Sequence, residues 1–265
     1  MRIRWKKIII CTLDVVLAGY LVMATTSFNK PDEKGWTCHR VNIDIEDEST
    51  NGFITTAEIK DRLTASHLYP LGKPMTKVRL RAIEETLEKS PFVNKAESYK
   101  TQNGDVNIHV TQRLPVVRIK ADNGDDYYVD DQDRVMPNSH YTSDLVIATG
   151  NISRDFATRY IPYVAKAIND NPLWQNLVVQ INVCPDRSIE IVPRVGDFIV
   201  NLGHLPAYKN QKIRQKAITD YMNKQLTRLQ KFYRYGLTKA GWNKYSYINL
   251  EFENQIICKK RENYR

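Results

Sequence analysis

The hydrophobic pattern divides the chain into an apolar N-terminal run and a long stretch of short, regularly punctuated segments. Ile8–Ala24 is a run of 17 residues rich in Ile, Leu, Val and Ala, with Asp14 as its one charged position. As a helix it would be about 25 Å long, and Trp5 and Thr25–Thr26 extend it towards the ~30 Å hydrocarbon core of a bilayer. Arg2, Arg4, Lys6 and Lys7 precede the run and no further cation follows until Lys30. The positive-inside rule therefore predicts a single span with a cytoplasmic N-terminus and everything after the span exported. Val22-Met23-Ala24 has the small-x-small look of a processing site. The apolar run nonetheless exceeds the ~7–15 residues of a signal-peptide core, which favours an uncleaved anchor. An acid at mid-membrane costs roughly 2.5–3.5 kcal/mol, so Asp14 either has a partner helix or a proton, or is carried by its apolar neighbours.

Beyond Asn29–Gly35, a polar linker with Pro and Gly, the periodicity changes. Val41–Glu46 alternates apolar and polar and predicts a half-buried strand, followed by a polar turn over Glu46–Gly52. Thr55 and Glu58 have the spacing of a capping box, with Ile54 and Ile59 at the staple positions, so a helix is expected from there to about Ala65. A second helix is predicted over about Lys77–Lys89, with Leu80, Ile83 and Leu87 on one face, ended by Ser90-Pro91. Val93–Thr101 and Asp105–Arg113 read as strands joined by Gln102-Asn103-Gly104, with a type I′ turn expected at Asn-Gly. The order is strand, helix, helix, strand, strand.

A second unit opens at Pro115–Ile119 and continues through Tyr127–Asp130. A helix is predicted over Asp155–Asp170, then strands over Leu177–Val183, Ser188–Val192 and Phe198–Leu202. Lys209–Tyr235 reads as one long basic helix, with Ile213, Ala217, Ile218, Tyr221, Met222, Leu226 and Leu229 on its apolar face. Two strands close the chain, about Tyr247–Phe252 and Gln255–Lys259, around Glu253-Asn254.

Composition sharpens this picture in one place. The net charge of +9 is concentrated from His204 onward, where 14 Lys and Arg meet 4 Asp and Glu. Such a segment could contact anionic lipid or an acidic partner; an exported location disfavours nucleic acid. The blander alternative for the basic helix is a solvated outer face. Of four cysteines, Cys11 lies in the apolar run, and the remaining three, Cys38, Cys184 and Cys258, allow at most one disulfide.

Candidate chemistry is sparse. Asp122, Asp125, Asp126, Asp130, Asp131 and Asp133 form an acidic stretch without the spacing of a calcium loop. The five histidines are scattered, with no metal-ligand motif. Ser27–Lys30 fits SxxK, but the downstream elements of that chemistry are missing. No catalytic, cofactor or metal residues are expected, and hence no enzyme.

The strand–helix–helix–strand–strand unit after an N-terminal anchor resembles a POTRA domain. Several local segments resemble the FtsQ/DivIB family. Ser90–Val93 resembles its helix-to-strand joint, and Gln112–Ile119 its "R-x-P-v-a" exit from the POTRA domain. Tyr127–Asp130 with Arg134–Pro137 resembles "y-v-D-x-x-G-x-v", with Asp133-Arg134 where a Gly is common. Ile189–Gly196 and Val200–Gly203 resemble "e-l-v-P-r-x-G … v-x-L-G". Tyr247–Phe252 resembles "y-v-D-L-R-Y", with Asn249 and Glu251 replacing Asp and Arg.

The resemblance implies an α+β chain: an N-terminal transmembrane helix, a POTRA domain (β-α-α-β-β), then a mostly antiparallel β domain with packed helices. In numbers, it implies a cytoplasmic tail (1–7), a transmembrane helix (8–26), a linker (27–36), a POTRA domain (37–120), a β domain (121–260) and a tail (261–265). It implies a single-pass protein of the cell (inner) membrane with a periplasmic C-terminal domain, acting in cell division and septum formation. The implied role is a non-enzymatic divisome scaffold linking FtsB- and FtsL-like partners to septal peptidoglycan synthesis. Binding would use the edge of the last strand: by position, Phe252 and Asn254 match the turn of that site, and Ile256, Ile257 and Cys258 its strand. An envelope-biogenesis chaperone using POTRA-type strand addition is the alternative.

Overall fold

The computed structural model describes residues 5–27, 35–46, 52–139 and 145–262, with side chains described from Ile10 to Thr25 in the first segment. Most of the expected linker, the centre of the polar turn before Gly52, His140 and the last three residues lie outside the described residues. The apolar run forms helix α1 (Trp5–Ser27). Leu13, Val15, Val16, Leu17 and Leu21 are exposed along it. Among the described residues no helix is both long and apolar enough to cross a membrane.

The first folded unit has the predicted order. Strand β1 (Arg40–Glu46) leads to helix α2 (Thr56–Ala65), helix α3 (Leu80–Glu88) and strands β2 (Val93–Lys100) and β3 (Asp105–Gln112). The sheet order is β1-β3-β2, with β1 parallel and β2 antiparallel to β3. The capping box forms: Glu58 N donates to Thr55 Oγ1 at 3.3 Å, and Thr55 N donates to Glu58 Oε2 at 2.9 Å. Ile54 and Ile59 are both buried, as a hydrophobic staple requires. Helix α3 starts at Leu80, later than expected, because Met75–Lys77 forms a separate 3₁₀ turn. The hairpin turn is not type I′. Gly104 alone in the loop has positive φ, at 82°, so the three-residue loop is a type I turn ending in one left-handed residue. Gly104 N donates to Thr101 O at 3.3 Å, and Thr101 N to Asp105 O at 2.9 Å.

The second unit is built on a nine-stranded sheet. Its strands are β4 (Pro115–Ala121), β5 (Asp126–Asp130), β6 (Val135–Pro137), β7 (Ile147–Gly150), β8 (Val178–Val183), β9 (Ser188–Pro193), β10 (Ile199–His204), β11 (Tyr245–Asn249) and β12 (Ile257–Lys260). They lie in the order β12-β11-β10-β9-β8-β7-β4-β5-β6. Neighbours are antiparallel except β4/β7, β7/β8 and β10/β11. The last two of these parallel pairs are joined by helical crossovers: α4 (Arg154–Arg159), α5 (Ile161–Asn169) and α6 (Pro172–Leu177) precede β8, and α7 (Gln211–Phe232) precedes β11. Both crossovers pack on one face of the sheet. Val164 and Ile168 of α5, Trp174 of α6 and Ile218, Met222 and Leu229 of α7 share one core with Ile181, Ile191, Val200 and Ile248.

Three expectations are corrected here. The helix predicted over Asp155–Asp170 is broken at Tyr160, because Pro162 has no N–H to continue the ladder and starts a new helix instead. Leu177 ends helix α6 rather than opening a strand, since Asn171 caps a further turn with Pro172 at its first position. Ile213, assigned to the apolar face of the basic helix, is 53% exposed; the inward position of that first turn belongs to Arg214, which is only 4% exposed.

The two units meet through a small apolar cluster of Phe53, Tyr128 and Met136. The Phe53 and Tyr128 rings lie edge to face at 5.4 Å. Beside them Arg134 Nη2 donates to Asn94 Oδ1 at 3.0 Å.

Candidate functional site: the terminal strand edge

Strand β11 is the platform for this site. Its Ile248 is buried in the core, and its Tyr247 stands on the opposite, solvent-facing side of the sheet. There a polar chain crosses five strands. Gln180 Nε2 donates to Thr149 Oγ1 (2.7 Å), Thr149 Oγ1 to Asn182 Oδ1 (3.3 Å) and Asn182 Nδ2 to Glu190 Oε2 (3.0 Å). Tyr247 OH donates to Glu190 Oε1 (2.9 Å) and accepts from Asn201 Nδ2 (3.0 Å). Burial, with the bond to Glu190, pushes the Tyr247 phenol up to about 12.

Next to β11 the chain bends sharply. At Gly203, φ is +87° and an added Cβ would sit 2.8 Å from Tyr221 Oη and 3.1 Å from Glu251 Cβ. Only glycine fits that left-handed, crowded position. It lets Tyr221 OH (2.5 Å) and Gln225 Nε2 (3.0 Å), both from α7, donate to Leu202 O. The "v-x-L-G" motif thus marks where helix α7 locks onto the sheet.

Strand β12 pairs antiparallel with β11 in the register Tyr247↔Lys259, Ile248↔Cys258 and Asn249↔Ile257. It is the last strand of the sheet order, so among the described residues its outer side has no neighbour. Arg261 N donates inward to Lys244 O at 3.0 Å. Alternation along the strand then directs the N–H groups of Ile257 and Lys259 towards β11 and those of Cys258 and Lys260 outward. The Arg261 side chain, expected in a terminal tail, reaches Asp197 Oδ2 at 2.6 Å and ties down the end of the strand.

The five sequence-predicted residues fall in two groups. Ile257 and Cys258 lie in β12, with Ile257 49% exposed and Cys258 half-buried against the core. Burial pushes the Cys258 thiol up. Phe252, Asn254 and Ile256 lie in the turn; Phe252 is exposed, and Asn254 takes a left-handed φ of 60°. Ile256, placed in the strand by the sequence, is outside it, and β11 ends at Asn249 rather than Phe252. The reason is that the backbone there bonds elsewhere. Glu251 N donates to Asn249 Oδ1 at 2.8 Å, and the carbonyls of Leu250, Phe252 and Gln255 all accept from Arg228 of α7. Arg228, Gln225 and Arg261 are site residues that the sequence patterns did not disclose.

The smaller sheet has β1 and β2 as its edges, and that of β2 is not open in the same way. On the outer side of β2, Ser98 N donates to Glu84 Oε1 at 2.7 Å and Ala96 N to Glu88 Oε1 at 3.3 Å. Helix α3 therefore occupies two of the donors that an added strand would need. The acidic stretch is likewise internally engaged. Arg118 grips Asp126 through Nε (2.9 Å) and Nη2 (2.8 Å), a pairing that holds the Asp126 carboxyl below the usual range. Buried Asp130 accepts from Arg134 N (2.7 Å) and Nε (2.8 Å).

Sequence comparison matches these units one by one. A family model for a POTRA-like domain matches residues 36–111, and one described as FtsQ/DivIB, C-terminal related, matches residues 114–259. No curated protein matches the chain significantly.

Proposed function

The chain belongs to the FtsQ/DivIB family of cell-division proteins, and from that premise we propose that it is a membrane-anchored, non-enzymatic scaffold of the divisome. An N-terminal anchor, which no helix among the described residues is long and apolar enough to form by itself, would hold it in the inner membrane with the folded units in the periplasm, as the cations before the apolar run favour. Its occupants would be an FtsB-like strand from an FtsB–FtsL-like coiled coil, coupling them to septal peptidoglycan synthesis.

The observation that carries this reading is the outer edge of β12, unpaired among the described residues, where Cys258 and Lys260 offer N–H groups to an added strand. Exposed Phe252 and Ile257 flank that edge and supply apolar contact. The chaperone alternative would need a receptive edge on the POTRA-like unit; Glu84 and Glu88 stand against it on β2, which leaves the edge of β1 for it.

The test is affinity isolation of the full chain from detergent-solubilised envelope, in wild-type, Cys258→Pro and Ile257→Pro forms. Proline removes a donor. Cys258→Pro removes one that faces outward, so the isolated protein should melt cooperatively near the wild-type temperature while recovery of the FtsB/FtsL-like pair is lost. Ile257→Pro breaks the inner ladder and should lower the melting temperature as well. Wild-type recovery by a folded Cys258→Pro variant would sink strand addition at this edge.

A further inference from the structure

The turn joining β11 to β12 spans residues 250–256, and its carbonyls turn away from the sheet towards helix α7. Arg228 meets three of them. Its Nη1 donates to Leu250 O at 2.7 Å, and its Nη2 donates to Phe252 O and Gln255 O, each at 2.7 Å. The guanidinium is itself aimed by Gln225, whose Oε1 accepts from Nη1 at 2.7 Å; Gln225 is buried and also fixed to Leu202 O. One turn earlier on the helix, Lys224 pairs with Glu253 in the same turn at 2.5 Å.

Strand β12 is otherwise held by its ladder with β11 and, at its far end, by Arg261 on Asp197. It is four residues long, and its apolar burial comes from half-buried Cys258 and the adjacent Ile256. A strand that short contributes little independent stability. A planar guanidinium can serve several carbonyls at once from one rigid fork, which an ammonium cannot do as well.

We propose that Arg228 is a positioning residue that pre-forms the β12 edge, folding the turn so that β12 docks in register on β11 before any partner arrives. A partner strand then meets an ordered template and avoids the cost of ordering it. Only this last consequence rests on the reading of β12 as the partner edge; the positioning itself does not.

Hydrogen exchange of the full chain in detergent, without partner, tests the positioning directly in wild-type, Arg228→Met and Arg228→Lys forms. In Arg228→Met, segments covering residues 250–262 should exchange on the order of tenfold faster or more, as expected for lost charge-assisted bonds. Segments from β8, β9 and β10 should keep wild-type protection, and Arg228→Lys should recover part of the loss. Wild-type protection of 250–262 in Arg228→Met would overturn the proposal, as would a loss spread evenly over the whole sheet. If protection falls as expected but no partner covers the wild-type edge, the positioning stands and the partner reading fails.

Discussion

Asp133 shows how a single residue can serve two demands. It takes a left-handed φ of 62° where the family resemblance places a glycine. Such a conformation costs an L residue roughly 1–2 kcal/mol, less for Asp and Asn than for others. Its carboxylate offsets that by accepting hydrogen bonds from Tyr163 OH and, at 3.0 Å, from Gln211 Nε2, which ties the β5–β6 turn to helices α5 and α7. Asp133→Ala loses the bonds and keeps the strained backbone, whereas Asp133→Gly loses the bonds and relaxes it. Thermal melting should therefore rank Asp133→Gly above Asp133→Ala by about 1 kcal/mol; the reverse order would show that φ does not matter there. The arginines of the basic helix were less legible. Charge counting treats Arg214 and Arg228 as part of a solvated face, yet both point inward and bind carbonyls, Arg214 reaching Tyr208 O at 2.9 Å and Arg159 O at 3.1 Å. They stand fourteen residues apart, four helical turns, on the side that carries Ile218, Met222 and Leu229. That alignment was the available signal, and it depends on arginine rather than lysine at both positions.

Elements with local causes were readable, and those ended by distant groups were not. The capping box at Thr55 and the Gly-containing hairpin at Gly104 are written within a few residues, although the turn type was not. The end of β11 and the late start of β12 are set by a guanidinium more than twenty residues away in sequence, which periodicity cannot see. The guarded edge of β2 is another such case, because Glu88 and Glu84 reach it from helix α3, eight and fourteen residues away in sequence. Replacing both by alanine should free the Ala96 and Ser98 amides. Their exchange should accelerate, and the protein should self-associate as concentration rises, through edge-to-edge pairing. Unchanged exchange at both amides would show that the carboxylates do not guard the edge.

At the scale of the whole molecule, two sheets are joined by a small aromatic contact, Phe53 against Tyr128, and by Arg134 reaching Asn94. The α+β character and the order of the two folded units could be read from periodicity and from family-like segments, whereas no described helix has the length and apolarity of the expected span. The contact between the units could not, since Phe53, Tyr128 and Met136 come from three separate stretches. The larger sheet has one face under helices, one face bridged by the Gln180-to-Tyr247 polar chain, and one end at β12. On the proposed function, this end receives a strand from an FtsB-like partner. Amide-resolved exchange of the chain, alone and saturated with an FtsB/FtsL-like pair, tests it most directly. The outward amides of Cys258 and Lys260 should become protected in the complex, while those of Ile257 and Lys259, already bonded to β11, stay as they are. Cys258 and Lys260 amides that exchange as fast in the complex as in the free protein would contradict it.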